Sequence, residues 1–365
     1  MSDLLDLHPD DTPGAERPRR RRRPLLALLA LLLPLALIGG IAFGGKALLT
    51  SLRGGAADYE GAGTGRVVVQ VKPGETAGDV ATTLATLGVV KSREAFFDLA
   101  LEDTRSRGIQ PGFYALRTQM SARAALTLLL DPKARLRTRV VIPEGTTANQ
   151  ALTIIARSTE VPLAELKAAA ANPTNLGVPA YAKNRLEGFL FPATYDVEPG
   201  STALEVLQQM VARYADAATD ADLEARAAQM GRTPYEILIV ASLIERESRV
   251  EEEYGKVSRV VYNRLERKMA LGIDATILYG LGRTSGSLKL SELKKDTPYN
   301  SRLNRGLPPT PIANPGLAAI EAALSPTPGD WLYYVLADKS GRHLFTASYS
   351  EFLRQKEKSL REGVF

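Results

Sequence analysis

The sequence has no cysteine and only two histidines, His8 and His343, among its 365 residues. That excludes disulfides, zinc–thiolate sites and a cysteine nucleophile, and it leaves the redox compartment open. A histidine-based metal site or a Ser-His-Asp triad would have to draw on His343 alone. No metal is therefore expected, and no lysine stands in a recognisable cofactor setting, so no cofactor is expected either. An excess of one charge is also nearly absent. The formal net charge is +5, and Arg17 with Arg19 to Arg23 supply six positive charges. The remainder is close to neutral, so the charge does not point to nucleic acid.

The arginine cluster has a neighbour that explains it. Residues 1–16 are polar, rich in Asp and Pro and without periodicity, and read as a disordered tail. The basic tail of residues 1–23 is followed by an uncharged, mostly apolar run, residues 24–45, closed by Lys46. About twenty such residues span a bilayer as a helix. Arginines ahead of a span hold the N-terminus in the cytoplasm. The reading is a single-pass anchor in the inner (cytoplasmic) membrane with the rest of the chain outside, in the periplasm. A cleaved signal peptide is the rival, kept open by Gly39-Gly40-Ile41-Ala42. Residues 46–65, rich in Gly, Ala and Ser, read as a linker.

The stretch that organises the chain is Tyr235 to Ser248. Ile237, Val240, Ala241 and Ile244 recur at helical spacing, and Pro234 suits a first turn. The run ends in Glu245 and Glu247. A carboxyl at the edge of an apolar wall is desolvated, its pKa rises, and it becomes a useful proton donor near neutral pH. The alternative is that both acids are solvated and paired with Arg246, Arg249 or Lys256. Residues two apart on a helix point about 200° apart, so the two acids cannot face one cleft. Glu247 lies roughly 70° from the mean apolar direction and Glu245 roughly 90°.

Upstream, two stretches resemble each other. Val69-Gln-Val71-Lys-Pro-Gly74-Glu-Thr76 and Val140-Val-Ile142-Pro-Glu-Gly145-Thr-Thr147 each lead into an apolar-periodic segment. Both read as strand, glycine turn, threonine cap and helix. The first, with a second helix near Ser92 to Leu101, resembles a LysM-like module, a fold that binds N-acetylglucosamine-containing glycans. Its alternative is a purely structural α/β module. Pro111-Gly-Phe-Tyr114 reads as a turn, and residues 186–197 as a strand or extended loop enclosing Glu187, which is either a second buried acid or the partner of Arg185. A helix capped by Ser201, another from Lys256 to Leu265 and a hairpin from Trp331 to Thr346 follow. Asn263 reads as a polar group lining a groove, and Asp274 as an N-cap. The proline-rich loop 298–316 reads as an ordered wall presenting Tyr, Asn and Arg side chains, which suit an uncharged sugar with amide groups.

Several segments in order now carry a resemblance: Glu187-Gly-Phe-Leu-Phe-Pro-Ala-Thr-Tyr195, Ala241-Ser-Leu-Ile-Glu-Arg-Glu-Ser248, Val261-Tyr-Asn-Arg-Leu265, Tyr299-Asn300, Gly306-Leu-Pro-Pro309, Ile312-Ala-Asn-Pro-Gly316 and His343-Leu-Phe345. The chain resembles the endolytic murein transglycosylases of the MltG/YceG-like family. That resemblance implies an α+β fold: a transmembrane helix, a LysM-like module (residues 66–137) and a mixed α+β catalytic domain (residues 138–365, with 138–185 a second strand-turn-helix unit packed on it). It implies cleavage of nascent glycan strands between N-acetylmuramic acid and N-acetylglucosamine to 1,6-anhydro ends, which terminates elongation. It implies one catalytic acid, carried to Glu247 with Glu245 in reserve. Glu187, Tyr195, Asn263, Asp274, Tyr299, Asn300 and Asn314 are the candidates for substrate binding. The implied partners are glycan strands, the inner membrane and peptidoglycan synthases of the elongation or division machinery. Ala275 and Phe352 depart from the family's usual Pro and His. Two rivals stand beside this reading: a hydrolysing muramidase, with Glu187 or Asp274 as its second carboxylate, and a non-catalytic glycan-binding scaffold.

Overall fold

The computed structural model describes residues 56–364. The proposed tail, the proposed span and the first part of the linker lie outside the described residues. Among the described residues no helix is long and apolar enough to cross a membrane. These residues form thirteen α-helices and three two-stranded sheets, a mixed α+β chain. It divides into two compact units: residues 56–69, 73–110 and 116–130, and then 70–72, 111–115 and 131 onward.

The first unit runs β1 (Ala62–Val71), α1 (Ala77–Thr86), α2 (Arg93–Glu102), β2 (Gly112–Met120) and α3 (Ala122–Leu129), and β1 pairs with β2. Thr76 caps α1 in a capping box with Asp79, which accepts from the Thr76 N–H at 2.9 Å. Val80, Leu84, Phe96, Leu116 and Leu126 close its core. The turn read at Pro111 to Tyr114 is instead the start of β2. Tyr114, Leu116 and Met120 are buried while Arg117 and Gln119 are exposed, and this period-two alternation outweighs the local Pro-Gly signal.

The second unit holds β3 (Thr138–Val141), α4 (Ala148–Ser158), α5 (Leu163–Ala170), β4 (Thr194–Val197), α6 (Ala203–Asp220) and α7 (Leu223–Gln229). It continues with α8 (Pro234–Glu247), α9 (Tyr254–Glu266), α10 (Asp274–Gly280), α11 (Leu290–Leu293), α12 (Leu317–Leu324), β5 (Tyr333–Leu336), β6 (His343–Thr346) and α13 (Tyr349–Arg361). Thr147 caps α4 as expected, in a capping box with Gln150. β3 and β4 pair antiparallel, Val140 opposite Tyr195, and with α4, α5 and α6 enclose one core. Only Thr194–Val197 of the stretch read as extended is a strand; Gly188, at φ +94°, turns the chain before it. A side chain at Gly188 would also meet Pro311 at 2.8 Å. The cap of α6 is Thr202, not Ser201, because Glu205 returns to the Thr202 N–H at 2.8 Å.

Helix α8 is the centre of the second core. Thr233 caps it, Pro234 opens it, and every residue from Ile237 to Ile244 is buried. Around it pack α7, α9, α10 and α12, with Phe189 wedged edge-on to Tyr214 at 4.8 Å and stacked on Tyr235. Phe189 has no solvent exposure. Phe189→Ala is expected to cost about 3–5 kcal/mol, read as a lowered urea midpoint for the second unit; an unchanged midpoint would show that this ring is not part of the core's support.

Candidate active site

Glu247 is the last residue of α8, and Ser248 after it is extended. The helix therefore delivers a carboxyl to the edge of its own apolar surroundings. Glu247 is half-buried, and the Tyr334 O–H donates to its Oε2 at 2.6 Å. Desolvation pushes its pKa up, the Tyr334 hydrogen bond pulls it back, and the negative charge of Asp274 adds to the rise. His343 and Arg246 exert weaker opposing fields. Among the described residues no ion pair reaches this carboxyl.

Tyr334 is itself held. Its ring meets His343 edge-on at 5.6 Å and 88°. The His343 N–H donates to Glu253 Oε1 at 2.9 Å, and Nδ1 lies 2.7 Å from Glu253 Oε2. Both partners are almost inaccessible, and one carboxylate thus fixes backbone and ring together. Three consecutive residues of α9 fasten α12 and the entry to the hairpin that carries Tyr334. The Tyr262 O–H donates to Ala323 O at 2.8 Å, Asn263 Nδ2 to Trp331 O at 2.8 Å, and Arg264 Nε to Leu332 O at 2.7 Å.

Glu245 faces elsewhere, as the angular separation requires. It accepts from Tyr254 O–H at 3.2 Å and from the Gly316 N–H at 3.1 Å, at the start of α12. Burial raises its pKa, and the nearby Glu144 charge raises it further, against these two donors. None of its hydrogen-bond partners is shared with Glu247. Arg246 between them donates to Gly145 O at 3.2 Å and to Thr284 O.

The substrate-binding candidates separate into two groups. Asn263, Asn300, Asn314 and Tyr195 are buried and brace the fold. Asn300 Nδ2 donates to Leu293 O and Lys295 O at 3.0 and 2.8 Å. Asn314 accepts from the Gly188 and Leu190 N–H groups, both at 3.0 Å, and donates to Thr146 O. The Tyr195 O–H donates to Phe191 O at 2.5 Å. The groove-lining reading of Asn263 is corrected for the same reason: its amide is committed to Gly329 and Trp331 carbonyls.

Asp274, Glu187 and Tyr299 are more open. Asp274 is the first residue of α10 and makes no cap; Arg302 holds its Oδ1 at 3.0 Å through Nε and 2.6 Å through Nη2. Glu187 is not paired with Arg185. Its oxygens accept from the Ala148 N–H at 2.9 Å and the Tyr279 O–H at 3.0 Å. Burial pushes its pKa up to about 7 despite these donors. Tyr299 is half-buried, shares a hydrogen bond with Thr310 at 2.9 Å and meets Tyr279 edge-on. Tyr334 and Glu253 were missed in the sequence. Tyr334 lay inside an aromatic strand with no pattern to single it out, and Glu253 ends a run of three acids of which only tertiary packing buries the last. No cluster able to hold a metal occurs among the described residues.

A carboxyl made weakly acidic by burial, at the end of the central helix of an α+β unit, defines a candidate general-acid site. Comparison gives the family: the chain matches the YceG-like family over residues 69–358 and belongs to it. It is 31% identical over 340 residues to a Bacillus subtilis (strain 168) protein named endolytic murein transglycosylase, covering 88% of this chain and 91% of that one. It is 30% identical over 318 residues to a protein of the same name from Streptococcus pneumoniae serotype 2 (strain D39), covering 78% of this chain and 56% of that one. The crystal structure of a yceG-like protein from Listeria monocytogenes matches with a TM-score of 0.54 at 26% identity, covering 80% of this chain and 99% of that one.

Glu187 gives a stability prediction. Its folded pKa, about 7, lies above the ordinary 4.5, so the folded state holds the proton more tightly. The resulting stabilisation is complete below pH 4.5 and is lost as pH rises through 7, up to about 3 kcal/mol. Glu187→Gln is expected to flatten this part of the stability–pH curve in urea unfolding at pH 5 and pH 8. Parallel curves for the two proteins would remove Glu187 as a buried titrating group.

Proposed function

We propose that this chain is a peptidoglycan lytic transglycosylase whose general acid is Glu247. The observation that carries the reading is the desolvated Glu247 carboxyl at the end of α8, with Tyr334 on one oxygen and no ion pair among the described residues. The names of the Bacillus and Streptococcus relatives supply the substrate class.

Protonated Glu247 donates to the glycosidic oxygen between N-acetylmuramic acid and N-acetylglucosamine. The C1–O bond breaks and positive charge develops on the ring. The resulting carboxylate takes the proton of the muramic acid C6 hydroxyl, whose oxygen bonds to C1 and closes the 1,6-anhydro ring. The nucleophile belongs to the substrate, so its intramolecular placement replaces a water-activating second carboxylate. Tyr334 is suited to the middle of the cycle: its O–H favours the carboxylate that forms when the proton leaves. Asp274 is held by Arg302 through its Oδ1. Glu187 and Tyr299 remain candidates for contacts with the strand.

Around this site the rest of the reading is organised. Residues 24–45 anchor the chain in the inner membrane with the N-terminus in the cytoplasm. The β1-α1-α2-β2 order over residues 62–120 supports the reading of residues 66–137 as a LysM-like module able to bind glycan. Residues 138–365 form the catalytic domain, facing nascent strands and working beside peptidoglycan synthases to terminate elongation.

Mass spectrometry of products from purified glycan strands tests this directly. Wild type is expected to release 1,6-anhydro ends, and Glu247→Gln to lower the rate about 10²–10⁴-fold, whereas Glu245→Gln retains activity. Reducing ends would make the protein a hydrolase, and glycan binding without cleavage would make it a scaffold. The pH profile gives a second test. The acid form is required and its pKa is raised, so activity persists above the ordinary Glu range and falls as pH rises through the raised value. Tyr334→Phe removes a donor that favours the ionised form and is expected to move this alkaline limb to higher pH. An unmoved limb would separate Tyr334 from the acid's titration.

A further inference from the structure

One concavity in the catalytic unit plays no part in the proton transfers above. It encloses about 600 Å³, in the range of small-ligand sites. One wall is the start of α4, with Asn149 and Gln150; the other is the segment after α10, with Thr284 and Ser285. Glu187 and Tyr279 also line it, joined by their hydrogen bond.

The two walls are coupled to each other and to the end of α8. Gln150 Nε2 donates to Thr284 Oγ1 at 3.0 Å. Arg246 donates to Gly145 O just before the first wall and to Thr284 O on the second. Arg246 directly precedes Glu247, so the residue that clamps the cleft is continuous with the one that carries the acid. The chemistry of the lining is also selective. Amides, hydroxyls and a phenol dominate it. Its guanidinium, Arg283, is engaged with Glu292 at 3.0 Å. The other guanidinium at the walls, Arg246, is spent on backbone carbonyls.

Resting on the transglycosylase reading, we infer that this cleft is a glycan subsite that takes an uncharged N-acetylated sugar of the strand, through Asn149 and Ser285. The acetamide and hydroxyl groups of N-acetylglucosamine match these donors and acceptors. The elevated pKa of Glu187 is consistent with this, because burial leaves its carboxyl less ionised at neutral pH than an ordinary Glu.

Hydrogen-exchange mass spectrometry on the full chain with the β-1,4-linked trimer of N-acetylglucosamine tests the site by position. The trimer is expected to protect residues 145–155 and 280–288 in wild type and in Glu247→Gln. Asn149→Trp and Ser285→Trp place bulk on exposed wall positions with little risk to folding. They are expected to weaken this protection at least tenfold in trimer concentration. A trigalacturonate of the same length is expected to give none. Protection absent from these two segments, unchanged in both tryptophan variants, or equal for the acidic trimer would overturn the inference. The two readings fail separately. Anhydro ends from wild type without cleft protection would leave the enzyme and remove the subsite. Cleft protection without cleavage would leave a glycan site in a non-cleaving protein.

Discussion

Helix α8 can exist only if it is surrounded. From Ile237 to Ile244 it offers no polar face to water, so its stability depends on tertiary burial rather than on amphipathic docking. That constraint determines much else. α7, α9, α10 and α12 must pack around it, and the loops joining them must satisfy their own polar groups against its sides. Ser242, wholly buried in the middle of the helix, illustrates this. Its hydroxyl donates to Ile239 O and accepts from the Ile312 N–H at 3.0 Å, so the helix holds the loop that leads into α12. The helix then has to end. Where it does, side chains pass from full enclosure at Ile244 to partial exposure over the next three residues, and the last of these is Glu247.

The sequence was informative where local physics decides the structure. Both threonine-capped units, the proline-opened helix and the hairpin near the C-terminus are short-range features. Each followed from caps, glycines and periodicity. β2 was not legible because Pro111-Gly112 imitates a turn, while the alternation that defines the strand begins two residues later. The candidate site divides along the same line. A carboxyl at the end of an apolar helix, and the opposite facing of Glu245, follow from helix geometry alone. The partners of Glu187 did not follow, because Ala148 and Tyr279 lie 39 and 92 residues away in the chain. Nor did the inward commitment of Asn300 and Asn314. A polar residue in a proline-rich loop looks the same in sequence whether it faces a ligand or satisfies buried backbone groups.

That last point explains why these loop residues are asparagines. A buried loop carries N–H and C=O groups that neither helix nor sheet satisfies. An asparagine amide offers both a donor and an acceptor on a short side chain. Asn314 uses both at once, joining the Gly188–Leu190 turn to Thr146. The loop 298–316 is an ordered wall, as its prolines suggest, but its amides hold the wall up from inside.

The same reasoning gives the run Tyr262-Asn263-Arg264 a role at a distance from any substrate. Successive residues on a helix point about 100° apart, so three in a row reach three different neighbours. Here they reach α12 and the two residues, Trp331 and Leu332, that lead into β5. The hairpin is short and two-stranded, an element with little stability of its own. Pinned along its entry by α9, and at His343 by the buried Glu253, it becomes rigid enough to hold one phenol 2.6 Å from one carboxylate oxygen. An acid–phenol contact of this kind is useful only if it is reproduced in every molecule, since small displacements change both the field and the hydrogen bond. Segments scattered over a hundred residues are thus parts of one requirement. The helix supplies the acid, and the remaining elements fix what stands opposite it.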